Sequence, residues 1–212
     1  MADFRAIADA VKAGRAKVVK TLVNEALAEG ANPEALLNEG LVVGMNELGI
    51  MFKNNEVYVP EVLIAARAMK AGTEILKPLL AAANVQSLGK VAIGTVKGDL
   101  HDIGKNLVRI MLETGGFDVY DLGRDVALDT FVDYVRDNDV DILCMSSLMT
   151  TTMPGMGKVI EKLKKADLRD KVKIMVGGAP VSPAFAEKIG ADGYTRNAIE
   201  AVEFAKKLVG AA

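Results

Sequence analysis

The chain has no tryptophan, one cysteine, one histidine and few aromatic side chains, 5% in all. Each shortage excludes something. A lone cysteine, Cys144, forbids an internal disulfide and any thiolate metal cluster, which needs several sulfurs. A lone histidine, His101, cannot close a zinc site, which wants about four protein ligands. Sparse aromatics and a net charge of −2 leave neither a base-stacking platform nor a basic stripe for nucleic acid. No apolar run approaches the ~20 residues of a membrane span. Met1-Ala2-Asp3-Phe4-Arg5 lacks the basic end and apolar run of a signal peptide. The expectation is a cytoplasmic protein with no membrane or nucleic-acid partner. What is present is ordinary for a globular chain: 50% hydrophobic and 25% charged residues.

The hydrophobic pattern changes near residue 85. Before it, apolar residues recur at helical spacing. Val18, Leu22 and Ala26 share a face, with Val19 and Val23 beside them. Asn32-Pro33-Glu34 reads as a helix start: Asn caps, Pro suits the first position, and Glu suits the positive end. That helix runs through Leu36, Leu37 and Leu41 toward Met45 and Leu48. Pro60 opens another, lined by Val62, Ala66, Met69, Thr73 and Leu76. With a short helix near Phe4–Val11 this predicts a four-helix bundle over residues 1–85. Ala82–Lys90 reads as a linker.

Residues 86–212 alternate short β-branched runs with helical stretches. Strands are predicted at Val91–Val96, Asp118–Leu122, Asp141–Ser147, Lys173–Val176 and Gly193–Thr195. This pattern predicts an α/β domain: a doubly wound, Rossmann-like (flavodoxin-like) parallel sheet of five strands, covered on both faces. Right-handed crossovers put every strand's carboxyl end at one rim, where such sheets bind ligands.

Three loops meet that rim. After the first strand comes Gly98-Asp99-Leu100-His101-Asp102-Ile103-Gly104-Lys105-Asn106. A neutral imidazole can bind a metal through one nitrogen while a carboxylate holds the other N–H. Asp99 can reach that N–H, and Asp102 is expected to cap the next helix. His101 can therefore supply one axial ligand to a metal whose other positions a macrocycle fills. After the third strand comes Ser146-Ser147-Leu148-Met149-Thr150-Thr151-Thr152, whose hydroxyls either cap a helix or tune the pair. After the fourth comes Gly177-Gly178, where missing side chains permit close approach by a large ligand. Met145, Met149, Met153 and Met156 read as packing residues, and Cys144 as an inert core thiol.

Asp99-x-His101-x-x-Gly104, Ser146-x-Leu148 and Gly177-Gly178 together resemble the three-part signature of cobalamin-binding domains. The longer run Gly98–Asn106 is similar to corrinoid proteins of anaerobic methyltransferase systems and to the cobalamin module of methionine synthase. Phe52 and Val57-Tyr58-Val59-Pro60-Glu61 resemble the helical cap of that family, with Val59 where Leu is more usual.

The resemblance implies a bound cobalamin or related corrinoid whose cobalt His101 ligates from below. Asp99 would accept the histidine N–H, and Thr152 would extend the relay. Asp102, Ile103, Gly104, Ser146, Leu148, Thr150, Gly177 and Gly178 would line the corrinoid and its tail slot. Phe52, Val59 and Val62 would shield the methyl face. The resemblance further implies a methyl carrier rather than a stand-alone enzyme. Cob(I)alamin would accept a methyl group from a substrate-specific methyltransferase. Methylcob(III)alamin would pass it to a second methyltransferase acting on a tetrahydrofolate-type pterin or a thiol. A reductive activase would restore the Co(I) state. Methanol, methylamines, betaines and methoxylated aromatics are all compatible donors.

The alternative is the cobalamin subunit of an adenosylcobalamin-dependent mutase, which usually lacks such a helical cap. A cobalamin-sensing regulator would need a DNA-reading domain. A receiver would need a phosphorylatable Asp after the third strand, where Ser146-Ser147 stands.

Overall fold

The computed structural model describes residues 3–82 and 87–211. Part of the expected linker, residues 83–86, lies outside the described residues. The chain divides into two compact units, Met1–Gln86 and Ser87–Ala212.

The first unit is helical: α1 (Phe4–Lys12), α2 (Ala16–Ala28), α3 (Pro33–Ala35), α4 (Val42–Lys53) and α5 (Val59–Ala82). Asn32 accepts a hydrogen bond from the Glu34 N–H and Pro33 takes the first helical position, as read from the sequence. The helix so opened is not uniform. Leu36–Leu41 forms a π-helical segment that joins α3 to α4. Gly40 and Gly44 lie on this stretch against α1. A Cβ on Gly44 would collide with the Ala8 carbonyl oxygen, so their bareness lets the helices approach closely. In α2 the inward stripe is Val19, Val23 and Ala26. Val18 is 42% exposed, so the stripe is rotated by one residue from the expected one. Val62, Ala66, Met69 and Leu76 of α5 are buried. Among the described residues no helix is long and apolar enough to cross a membrane.

The second unit alternates β1 (Lys90–Val96), α6 (Ile103–Thr114), β2 (Asp118–Val126), α7 (Leu128–Asp137), β3 (Ile142–Ser146), α8 (Pro154–Lys165), β4 (Lys173–Gly177), α9 (Pro183–Ile189), β5 (Gly193–Tyr194) and α10 (Ala198–Leu208). All five strands are parallel, in the order β2-β1-β3-β4-β5. Side chains alternate across a strand, and both faces are buried. Ala92, Leu143, Met145, Ile174 and Val176 face Phe131, Met156, Ile160 and Leu163 of α7 and α8. Val91, Ile93, Ile142, Cys144 and Met175 face Leu112 of α6 and Ala201 and Ala205 of α10. Burial pushes the Cys144 thiol up to about 12, which leaves it an unreactive core residue.

The chain leaves β1 toward β2 on one side and returns to β3 on the other. The carboxyl ends of β1 and β3 therefore flank the topological switch point, where the crevice of such a sheet opens. β2 runs to Val126, four residues past its expected end, because Gly123 and Asp125 take up the bends that keep it paired.

Gly94 on β1 lies under the ring of fully buried Phe131, and a Cβ there would sit 2.8 Å from Phe131 Cε1. Gly94→Ala is expected to lower the unfolding free energy by about 1–3 kcal/mol through overpacking. Urea denaturation checks this; an unchanged midpoint would mean the Phe131 ring yields freely.

Candidate functional site

The site is built around one buried carboxylate. After β1 the chain turns at Gly98, whose φ of +84° suits glycine, and drives Asp99 inward until it is 0% exposed. Its Oδ1 accepts the His101 backbone N–H at 3.0 Å and faces His101 Nδ1 at 2.8 Å. Its Oδ2 accepts the Leu148 N–H at 2.7 Å, the Met149 N–H at 3.2 Å and the Thr152 hydroxyl at 3.0 Å. The Ser147 hydroxyl stands 3.3 Å from the same oxygen and 2.7 Å from Thr152 Oγ1. Burial alone would raise the Asp99 pKa. The backbone N–H groups of His101 and Leu148, then the His101 ring and the Thr152 hydroxyl, outweigh it and hold the carboxyl well below the usual range.

An ionised carboxylate only accepts, so the proton of a neutral His101 ring is fixed on Nδ1. Nε2 then carries a free lone pair and has no hydrogen-bond partner among the described residues. The His101 side chain is 52% exposed. Its backbone is pinned as well, since the buried Thr95 hydroxyl donates to the His101 carbonyl at 3.1 Å. On the loops after β1 and β3, Leu100, Ile103 and Leu148 are 60%, 78% and 45% exposed. Apolar side chains left in solvent beside a free ligand nitrogen fit a broad, largely apolar group carrying its own metal. Among the described residues no cluster of three or more His, Cys, Asp or Glu side chains could hold a bare ion.

Comparison with known proteins agrees with this geometry. A B12 binding domain family matches residues 89–203, and a second B12 binding domain family matches residues 4–77. The chain belongs to the B12-binding corrinoid proteins of anaerobic methyltransferase systems. It is 45% identical to dimethylamine corrinoid protein 3 of Methanosarcina acetivorans, over 96% of this chain and 95% of the relative. It is 46% identical to the trimethylamine corrinoid protein of Methanosarcina barkeri, over 88% of this chain and 87% of that one. A solved cobalamin-binding protein from Desulfitobacterium hafniense superposes with a TM-score of 0.83 at 30% identity, covering 98% and 99% of the two chains. The methanol:cobalamin methyltransferase complex of Methanosarcina barkeri gives 0.87 at 29% identity, covering 99% of this chain and 80% of that one. These likenesses span the helical unit as well as the sheet, so a mutase subunit is not favoured.

The residues expected to serve the corrinoid divide by what the structure does with them. Asp99, His101 and Thr152 meet within hydrogen-bond distance. Ile103, Gly104 and Leu148 are exposed beside them, and a Cβ on Gly104 would meet nothing within 4 Å. Asp102 stands at the N-cap of α6 but makes no side-chain cap bond, contrary to expectation. Thr151 caps nothing either; Met153 holds the N-cap position of α8. Ser146 is half-buried and Thr150 exposed, while it is the neighbouring Ser147 that reaches Asp99. Gly178 has a reason of its own. At φ +128° it lies against the Ser147 backbone, and a Cβ would collide with the Ser147 carbonyl. Gly177 has only the Thr195 carbonyl oxygen, 3.6 Å from where its Cβ would lie. In the helical unit Phe52 and Val59 are half-buried, and Val62 is buried. Two cavities of the α/β unit lie at the amino-terminal ends of the strands, one by Asp141 and Lys173, the other by Lys90 and Asp118. The expected tail slot is neither of these.

Ser147 and Thr95 escaped the sequence reading. Of two adjacent serines at a strand end, only one can face the β1 loop, and spelling does not say which. Thr95 reads only as a β-branched strand residue.

Asp99→Asn leaves an amide NH2 facing donors in either orientation. Because the folded-state pKa of Asp99 is lowered, its stabilisation is complete above the unfolded value of about 3.9 and is lost as pH falls below it. The variant is therefore expected to be less stable than wild type at pH 7, with the gap narrowing below about pH 4. Urea midpoints across pH 3–7 check this; a constant gap would contradict it.

Proposed function

We propose that this corrinoid protein carries a methyl group between two methyltransferases, with His101 as the residue that would hold the cobalt of the bound corrinoid. When bound, the corrinoid supplies a cobalt centre that takes up a methyl group when reduced and gives it up again. The chain's own residues hold and tune that centre. Asp99 orients the imidazole so that Nε2 points outward, and keeps the ring proton on Nδ1. Charge donated through that contact makes the ring a better ligand. Thr152 and Ser147, with the amides of Leu148 and Met149, stabilise the Asp99 anion and so limit how far it pulls the proton. Leu100, Ile103 and Leu148 offer exposed apolar side chains on the same two loops, against which the corrinoid would lie. Phe52, Val59 and Val62 are assigned to the methyl face in this reading, while Ser146, Thr150 and Gly177 are assigned to the tail.

The observation that carries the reading is the half-exposed imidazole whose Nδ1 is locked by a buried carboxylate while Nε2 is left free. The donor class it favours is a methylated amine, supported by relatives named for dimethylamine and trimethylamine that match along nearly the whole chain. The acceptor methyltransferase, working on a tetrahydropterin or a thiol, a reductive activase and a cytoplasmic location complete the reading.

Protein grown on 15N-histidine and loaded with cob(II)alamin is expected to show 15N splitting in its electron spin-resonance spectrum, and His101→Ala to lose it. Identical spectra for the two proteins would refute the ligand assignment.

A further inference from the structure

β2 carries residues that β1 cannot pair. Ile93 pairs with Asp121, Gly94 with Gly123 and Val96 with Val126, so one extra residue of β2 is left over at each of two breaks. Such bulges bend a strand and re-aim its side chains. The first break is held by Asp121, whose Oδ1 accepts the Gly123 N–H at 2.9 Å. The same carboxylate pairs with Lys105, a lysine buried to 3% exposure, at 2.5 and 2.6 Å. Lys105 lies in the first turn of α6, directly after the His101 loop.

The second break delivers Asp125. Its φ of +53° is left-handed, a conformation Asp tolerates better than most residues but still pays for. In return it meets the His101 loop twice. Its backbone N–H donates to the Asp99 carbonyl at 3.0 Å, and its Oδ1 accepts the Gly98 N–H at 2.8 Å. Lys97 Nζ lies 3.0 Å from Oδ1 and completes the contact. Gly98 N–H, then Lys97, hold the Asp125 carboxyl below its ordinary value. A non-glycine residue in a left-handed backbone, bonded at both its amide and its side chain to the two residues preceding Leu100 and His101, is placed for a purpose other than sheet pairing.

We infer that Asp125 is a positioning residue: through Gly98 and Asp99 it sets the height and tilt of the His101 imidazole relative to the sheet. Asp99 fixes the ring relative to the loop. Asp125 fixes the loop relative to the sheet. Without it the Gly98 turn has one anchor fewer, and the imidazole samples positions in which Nε2 does not meet the metal. This rests on His101 being the cobalt ligand.

Asp125→Gly removes only the side-chain acceptor, since glycine adopts the positive φ freely, and Asp125→Asn restores an acceptor. In the cofactor-free protein, amide exchange at Gly98 is expected to be about tenfold faster in Asp125→Gly, the loss of one hydrogen bond, and near wild type in Asp125→Asn. Exchange at Ile93 and Leu143 in the sheet is expected not to change. With cob(II)alamin bound to 15N-histidine-labelled protein, the fraction showing 15N splitting is expected to fall in Asp125→Gly and recover in Asp125→Asn. A wild-type ligated fraction in Asp125→Gly, with or without faster exchange, overturns the positioning role. An unprotected Gly98 amide in the wild type overturns it without any variant. Absence of 15N splitting in the labelled wild type itself removes the ligand reading, and this role with it.

Discussion

A carboxylate with no solvent contact is an unfavourable object unless its lone pairs are filled, and Asp99 fills them from both sides of the sheet's switch point. Oδ1 serves the β1 loop and Oδ2 the β3 loop. The same atoms that stabilise the charge thus tie together the two loops that form the crevice. Removing the charge would loosen the crevice, and separating the loops would strand the charge. Everything else at the site follows: the proton on Nδ1, the outward Nε2 and the hydroxyl pair of Thr152 and Ser147.

The surrounding fold supplies rigidity at this point and little else. β1 and β3 are paired in register from Val91 to Thr95 and buried on both faces. The loops that leave them therefore start from fixed positions. Gly178 extends this, because β4 can bring its end against Ser147 only where no Cβ intervenes. Gly178 thus serves the protein's own backbone before it serves any ligand.

Much of this was legible in the sequence, for identifiable reasons. Strands with two buried faces have continuous apolar runs, so β1, β3 and β4 stood out within a residue or so of their ends. Asp99 and His101 were legible because a carboxylate and a histidine two residues apart on a rim loop suit metal ligation, whereas Thr152 was singled out by the family resemblance. Three things were not legible. A π-helical segment inserts a residue into a helix without changing its composition, so Leu36–Leu41 looked like ordinary α-helix. The extension of β2 through Gly123-Arg124-Asp125 breaks β patterning because it is bulged, so the strand appeared to stop at Leu122. The choice between Ser146 and Ser147 depends on the twist at a strand end, which periodicity does not encode.

The proposed function stands or falls on a bond from His101 Nε2 to cobalt. Because the chain contains one histidine, growth on 15N-histidine labels a single ring. Pulsed spin-resonance of the labelled protein with cob(II)alamin is predicted to show a strong 15N coupling from a directly bound nitrogen. A spectrum with only the 14N coupling of the cofactor's own base, or with no strongly coupled nitrogen, would contradict it.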